Sequence, residues 1–284
     1  MEYEKRIVCY MDILGFKNMI EESSRNADIR NSIFQLLQDV KKMNQDFQYE
    51  RLVTVVPDSD LHDGFKPKNV IDMGLLSEMS FFSDSIIFSY KMTQARRDLY
   101  DIVIVLQEIA RFAFELLLRG FFVRGGLSYG EVYHNGNVCF GPALVTAVLL
   151  EEHAVYPRIS IDPLFFNDQS PYSVYYGKED AIAENRQHIE DTYHCVDLSH
   201  LENLNRVDID KVRTDNSLIH YLDYLDIMID YDKKLAMKVK GIIEKELQKD
   251  YPDKIAAKYQ WMKEYYNSTV YNTQCMGDDV RIII

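Results

Sequence analysis

Two aspartates stand where a carboxylate is out of keeping with its neighbours. Asp12 closes the apolar run Ile7-Val8-Cys9-Tyr10-Met11, and Asp84 interrupts Phe81-Phe82-Ser83 and Ser85-Ile86-Ile87-Phe88 some seventy residues later. Side by side, two such carboxylates offer the hard oxygen ligands that Mg2+ or Mn2+ prefers. Metals so held can activate an attacking hydroxyl and neutralise a triphosphate during in-line displacement. Each aspartate also has a plainer reading, Asp12 as a helix-start residue and Asp84 as a hairpin-turn residue, roles that suit aspartate well. Their joint occurrence favours the metal. After Asp12, the stretch Ile13-Leu14-Gly15-Phe16-Lys17 leads from a strand into a helix, where free backbone N–H groups and the helix dipole can receive phosphate oxygens. Gly15 would permit that approach, or serve as a turn residue only.

The elements that must position these residues follow from pattern and punctuation. Residues 6–13 predict a buried first strand, followed by a short helix from Phe16 to about Glu22. A one-sided helix spans about 28–47, with Ile29, Ile33, Leu36, Leu37, Val40 and Met43 on its stripe. Residues 50–74, rich in Pro, Gly and Asp, read as a long loop. Strands at 75–82 and 85–90 form a hairpin with Asp84 near its tip. A helix over 96–118 ends at Gly120. A long strand follows over 121–133, its glycines Gly125, Gly126 and Gly130 permitting a bend or the close approach of another backbone.

Gly141-Pro142 opens a helix to about His153, and a short strand spans 158–162. Beyond it, a strand at 173–176 lies among loops, and the last third is helical, about 215–247 with a break and then 252–267. Glu21-Glu22 and Glu151-Glu152 read as solvated helix ends, and His134 as a turn residue. His188, His194 and His200 match no ligand spacing. The order strand, helix, helix, strand, strand, helix, strand is the ferredoxin-like pattern of α+β proteins, an antiparallel sheet with helices on one face. The expected division is a core over 1–165 and a mostly helical carboxy-terminal extension over 166–284 packed on it.

Bulk properties limit the function classes. A formal net charge of −13 disfavours broad attraction to nucleic acid or anionic lipid. Four scattered cysteines, Cys9, Cys139, Cys195 and Cys275, signal neither a zinc cage nor a disulfide framework. The apolar runs are too broken by charge to span a bilayer, so a cytoplasmic location is the expectation.

Asp12-Ile-Leu-Gly-Phe16, Ser83-Asp84-Ser85, Arg124-Gly-Gly-Leu-Ser-Tyr-Gly-Glu-Val132 and the run from Gly141 to Glu151 resemble, in order and spacing, the class III nucleotide cyclase domain over residues 6–162. The resemblance implies two divalent ions, Mg2+ or Mn2+, held by Asp12, Asp84 and the Ile13 carbonyl, with Leu14 to Lys17 cradling phosphates. It further implies a nucleoside triphosphate whose 3′-hydroxyl attacks its own α-phosphate, at sites near the interface of a homodimer. In that family the helix after Gly141 carries an asparagine and an arginine, aligned here with Val145 and Leu149. Arg124, Arg158, Lys91 and Lys258 are candidates to replace the lost cation. The last helix carries an aromatic and basic stripe, Lys254, Lys258, Tyr259, Trp261, Lys263, Tyr265 and Tyr266. Packing accounts for its aromatics, and a lysine reaching nucleotide phosphates is the minority reading. The family's base-selecting lysine and aspartate align with Ser80 and Val138, which disfavours an ordinary adenylate cyclase. The anti-phage Pycsar enzymes, which make cyclic pyrimidine nucleotides, are a similar core with a smaller base. A catalytically degenerate nucleotide-binding regulator and a plain structural module are the alternatives.

Overall fold

The computed structural model describes residues 2–54, 77–91, 99–162, 220–229, 232–272 and 277–283. Residues 55–74 of the expected loop, the strand at 173–176, His188, His194, His200, and the first residues of the helices expected from 96 and 215 lie outside them.

Strand β1 (Glu4–Ile13) is central. It pairs antiparallel with β3 (Ser85–Lys91) on one side and β4 (Val123–Asn135) on the other, and β2 (Ser77–Phe82) pairs antiparallel with β3. On the far side of β4, β6 (Ile159–Ile161) runs parallel to it and is followed by β7 (His220–Tyr221). The short β5 (Val138–Phe140) folds back on the end of β4. The sheet is therefore mixed, not antiparallel throughout, because the chain crosses over between β4 and β6.

Both faces of β1 are covered, which explains why its sequence reads as a near-continuous apolar run. Ile7, Cys9, Met11 and Ile13 point into the larger core, and Val8 points into a smaller one with Val132, Ala143 and Ala147. The larger core holds α2 (Ala27–Thr54), which buries Ile33, Leu36, Val40 and Met43 at helical spacing. It also holds α3 (Leu99–Leu118), in which Leu106, Ile109, Ala110, Phe112, Ala113, Leu116 and Leu117 are buried. A helix apolar nearly all round belongs in an interior, and α3 lies among the sheet and the carboxy-terminal helices.

The smaller core lies under α4 (Pro142–His153), so helices occupy both faces of the sheet rather than one. The helical stretch with a break expected over 215–247 contains α5 (Tyr224–Ile229) and α6 (Lys233–Leu247). Asp232 caps the second by accepting from the amides of Lys234 and Leu235 at 2.8 and 3.2 Å. These helices and α7 (Asp253–Asn272) share one apolar cluster with β1 and α3 through Leu225, Val239, Ile243, Met262 and Tyr266. No helix among the described residues is long and apolar enough to cross a membrane.

Candidate active site

Asp12 lies at the end of β1, opposite Ser85 of β3 and opposite Arg124 of β4. The β2–β3 turn folds over this end: Ser83 takes a left-handed conformation (φ 61°), and the Ile13 amide donates to the Asp84 carbonyl at 3.3 Å. Asp84 is thereby held close enough to the Asp12 carboxyl for its negative charge to act on it. The sheet thus brings together the two aspartates that the sequence singled out. Burial, followed by the negative charges of Glu151 and Asp84, pushes the Asp12 carboxyl from 3.8 up to about 7, against the pull of Arg124.

Arg124 is the nearest cation. Its guanidinium forms an ion pair with Glu151, lies 3.5 Å from Asp12 Oδ2, and donates to the Ala154 carbonyl at 3.4 Å. The Glu151 contact brings opposite charges together without a well-directed hydrogen bond. Glu151 itself corrects an expectation. Read as a solvated helix end, it is only 4% exposed, and burial raises its carboxyl above the ordinary value despite Arg124; its neighbour Glu152 is exposed.

The packing of α4 on β4 explains why. Ser128 Oγ donates to the Ala143 carbonyl at 2.6 Å, and a Cβ on Gly126 would come 2.1 Å from the Ala147 carbonyl oxygen. Residues 143, 147 and 151 of the helix therefore track residues 128, 126 and 124 of the strand. Four helical residues rise about 6 Å and two strand residues about 7 Å, so the two rows stay in step. The signal was present in the sequence as Gly126 on the strand and a glutamate four residues beyond Ala147. Missing was the knowledge that these elements lie in contact.

The phosphate-cradle candidates lie at the same end. The Leu14 amide donates to the Phe122 carbonyl at 2.9 Å, and Gly15 adopts φ 79°. A Cβ there would meet nothing within 4 Å, so glycine is favoured by backbone conformation, not by crowding. Helix α1 (Phe16–Ser23) begins at once, with no side-chain cap; Phe16 is buried and Lys17 exposed. Ser80 is buried on β2 opposite Ile87, two strands from β1. Tyr10, two positions before Asp12, shares a 2.7 Å hydrogen bond with Ser85 Oγ.

Of the other cations considered, Lys258 of α7 faces this cluster. Burial, followed by Arg124 and Lys254, lowers its ammonium pKa, while Asp12 and Glu151 act in the opposite direction. Lys91 pairs with Glu4 near the opposite end of β1, and Arg158 is buried between the rings of Tyr156 and Tyr221, 5.9 and 5.7 Å from their centroids. His134 is not a turn residue. It is buried on β4, its Nδ1 is 2.8 Å from Ser89 Oγ, and that oxygen accepts from Arg6 Nη1 at 3.1 Å. Val145 and Leu149 stand on α4 with 58% and 48% of their surface exposed.

Asp12, Asp84 and the Ile13 carbonyl are the oxygen donors that could hold a metal here. Among the described residues no group of three or more His, Cys, Asp or Glu side chains forms a metal cage. Magnesium commonly uses only one or two protein carboxylates and takes further ligands from phosphate and water.

The architecture is that of a mixed sheet with helices, of the α+β class. No family model matches the chain, and no curated protein matches it. Among solved structures, the adenylyl cyclase CyaB from P. aeruginosa is similar at 14% identity, over 62% of this chain and 83% of that one, with a TM-score of 0.41. So loose a superposition leaves the functional reading to the residues themselves.

Proposed function

We propose that this chain binds a nucleoside triphosphate with Mg2+ or Mn2+ at the Asp12–Asp84 end of its sheet and is a nucleotide cyclase. The observation that carries this reading is the placement of the turn aspartate Asp84 beside Asp12 at the end of β1, where the Ile13 amide holds the Asp84 carbonyl and the two carboxyls act on each other. Such a pair repels itself unless a proton or a cation lies between its members, and hard oxygen donors suit a divalent ion. When bound, the metal would neutralise phosphate charge and favour the alkoxide form of an attacking hydroxyl.

The chain's own groups have separate tasks. Asp12 and Asp84, with the Ile13 carbonyl, hold the cation, and the amides of Gly15, Phe16 and Lys17 receive phosphate oxygens, the Leu14 amide being taken by the Phe122 carbonyl. Arg124 supplies positive charge beside Asp12. In the reaction, the 3′-hydroxyl forms a bond to the α-phosphorus, the bond to diphosphate breaks, and the hydroxyl proton passes to solvent. The products are a 3′,5′-cyclic nucleotide and diphosphate. The β4–β1–β3–β2 order, antiparallel at each step, supports a ferredoxin-like core for this site. Exposed Val138, Phe140, Val145 and Leu149 support a homodimer across the α4 face. A pyrimidine base, as in the anti-phage cyclases, rests on the sequence resemblance alone.

The exposed apolar side chains of Val145 and Leu149 favour a second reading, nucleotide binding without turnover. One experiment separates the two: incubation of the pure protein with Mn2+ and each of the four ribonucleoside triphosphates, followed by mass spectrometry. A cyclic product is expected from at least one. Metal-dependent nucleotide protection against unfolding without any product would establish the second reading, and neither effect would overturn both.

A further inference from the structure

The carboxy-terminal helix α7 brings a positive charge, Lys258, to the site. Its placement is fixed by aromatic packing: the Tyr259 ring lies edge-on to Phe122 at 5.2 Å, and Trp261 stacks on Tyr156 at 5.4 Å. Phe122 is the residue whose carbonyl receives the Leu14 amide, so α7 is anchored where the chain leaves β1 for Gly15. Lys258 precedes Tyr259. It is half-buried, within electrostatic reach of Arg124, Asp12 and Glu151. Yet no hydrogen bond or ion pair joins its ammonium to any described residue, whereas Arg124 is paired with Glu151.

A partly desolvated ammonium held beside a guanidinium costs free energy unless an anion lies between them. A half-buried lysine with no ion pair among the described residues is suited to phosphate, which lysine binds as a point charge. We propose that Lys258 binds the polyphosphate of the ligand, completing with Arg124 the positive charge that Val145 and Leu149 cannot supply. The carboxy-terminal extension is then part of the binding site, an inference that rests on the nucleotide reading above.

The test is calorimetric titration of the full-length protein with inorganic tripolyphosphate in the presence of Mn2+, for wild type, Lys258→Met, Lys258→Arg and Lys254→Met. Lys258→Met should weaken binding about tenfold or more, Lys258→Arg should recover most of it, and Lys254→Met, one turn away and exposed, should leave it within about threefold. Unchanged affinity in Lys258→Met would overturn the role of Lys258 while leaving the nucleotide site standing. So would equal weakening by Lys258→Met and Lys258→Arg, since only the geometry and not the charge would then matter. If wild type binds neither tripolyphosphate nor any nucleoside triphosphate, the nucleotide reading fails, and this one with it.

Discussion

Asp12 carries opposing demands. In the metal-free protein its carboxyl titrates near 7 instead of 3.8, chiefly because it is buried and because Glu151 and Asp84 are close. A raised folded-state value means that the group favours folding when protonated. Its contribution is fully present below 3.8 and is lost as pH rises through about 7. Asp12→Asn should therefore raise the melting temperature of the metal-free protein at pH 8, with a gain that shrinks toward pH 4. Differential scanning fluorimetry across that range is the check, and a gain independent of pH would show that Asp12 does not titrate as described. Glu151→Gln removes a carboxyl that burial likewise raises despite Arg124, so it too should stabilise the metal-free protein at pH 8 in urea unfolding, by a margin that shrinks toward pH 4. The two aspartates were legible in the sequence because each interrupts an apolar run. Glu151 was not, because a glutamate in the last turn of a helix is ordinarily solvated, and only the approach of α4 to Gly126 buries it.

At the scale of elements, the seating of α4 on β4 decides the shape of the site. Gly126 allows the helix to touch the strand, with no room for a Cβ beside the Ala147 carbonyl. Gly126→Ala should accordingly destabilise by about 3 kcal/mol, the upper range for overpacking, whereas Gly15→Ala should cost only the 1–2 kcal/mol or so of a left-handed backbone. Equilibrium urea denaturation of both variants tests the contrast, and equal effects would contradict it. The branched and aromatic apolar run of β1, the turn residues at Ser83-Asp84 and the Gly141-Pro142 helix start made these elements readable in the sequence. The parallel pairing of β4 with β6 was not readable, because partner and direction in a sheet are set by tertiary contacts and not by local pattern. For the same reason the second helical layer under Val8 escaped a reading that placed helices on one face. His134 escaped it too: β4 continues to Asn135, so a histidine beside Asn135-Gly136 belongs to the strand.

At the scale of the whole molecule, the carboxy-terminal helices share a continuous apolar cluster with the sheet, and β7 extends the sheet beside β6. We expect the chain to unfold as one cooperative unit. Trp261, the only tryptophan, reports on the seam because it packs on Tyr156 and Tyr221. Its fluorescence and the far-ultraviolet circular dichroism should give coincident urea transitions; separated midpoints would mean that the extension unfolds independently of the core. A site formed jointly by core and extension would then have to tolerate independent opening of α7.

A nucleotide cyclase of this design requires that Asp12 and Asp84 hold a divalent ion together. The direct measurement is Mn2+ binding, read from the paramagnetic resonance of the free ion, for wild type and Asp84→Asn in the presence of a nucleoside triphosphate. Loss of one of two anionic ligands should weaken protein-dependent Mn2+ binding about tenfold or more, with the circular dichroism unchanged. Equal Mn2+ binding by the two proteins would contradict a shared metal site at this end of the sheet.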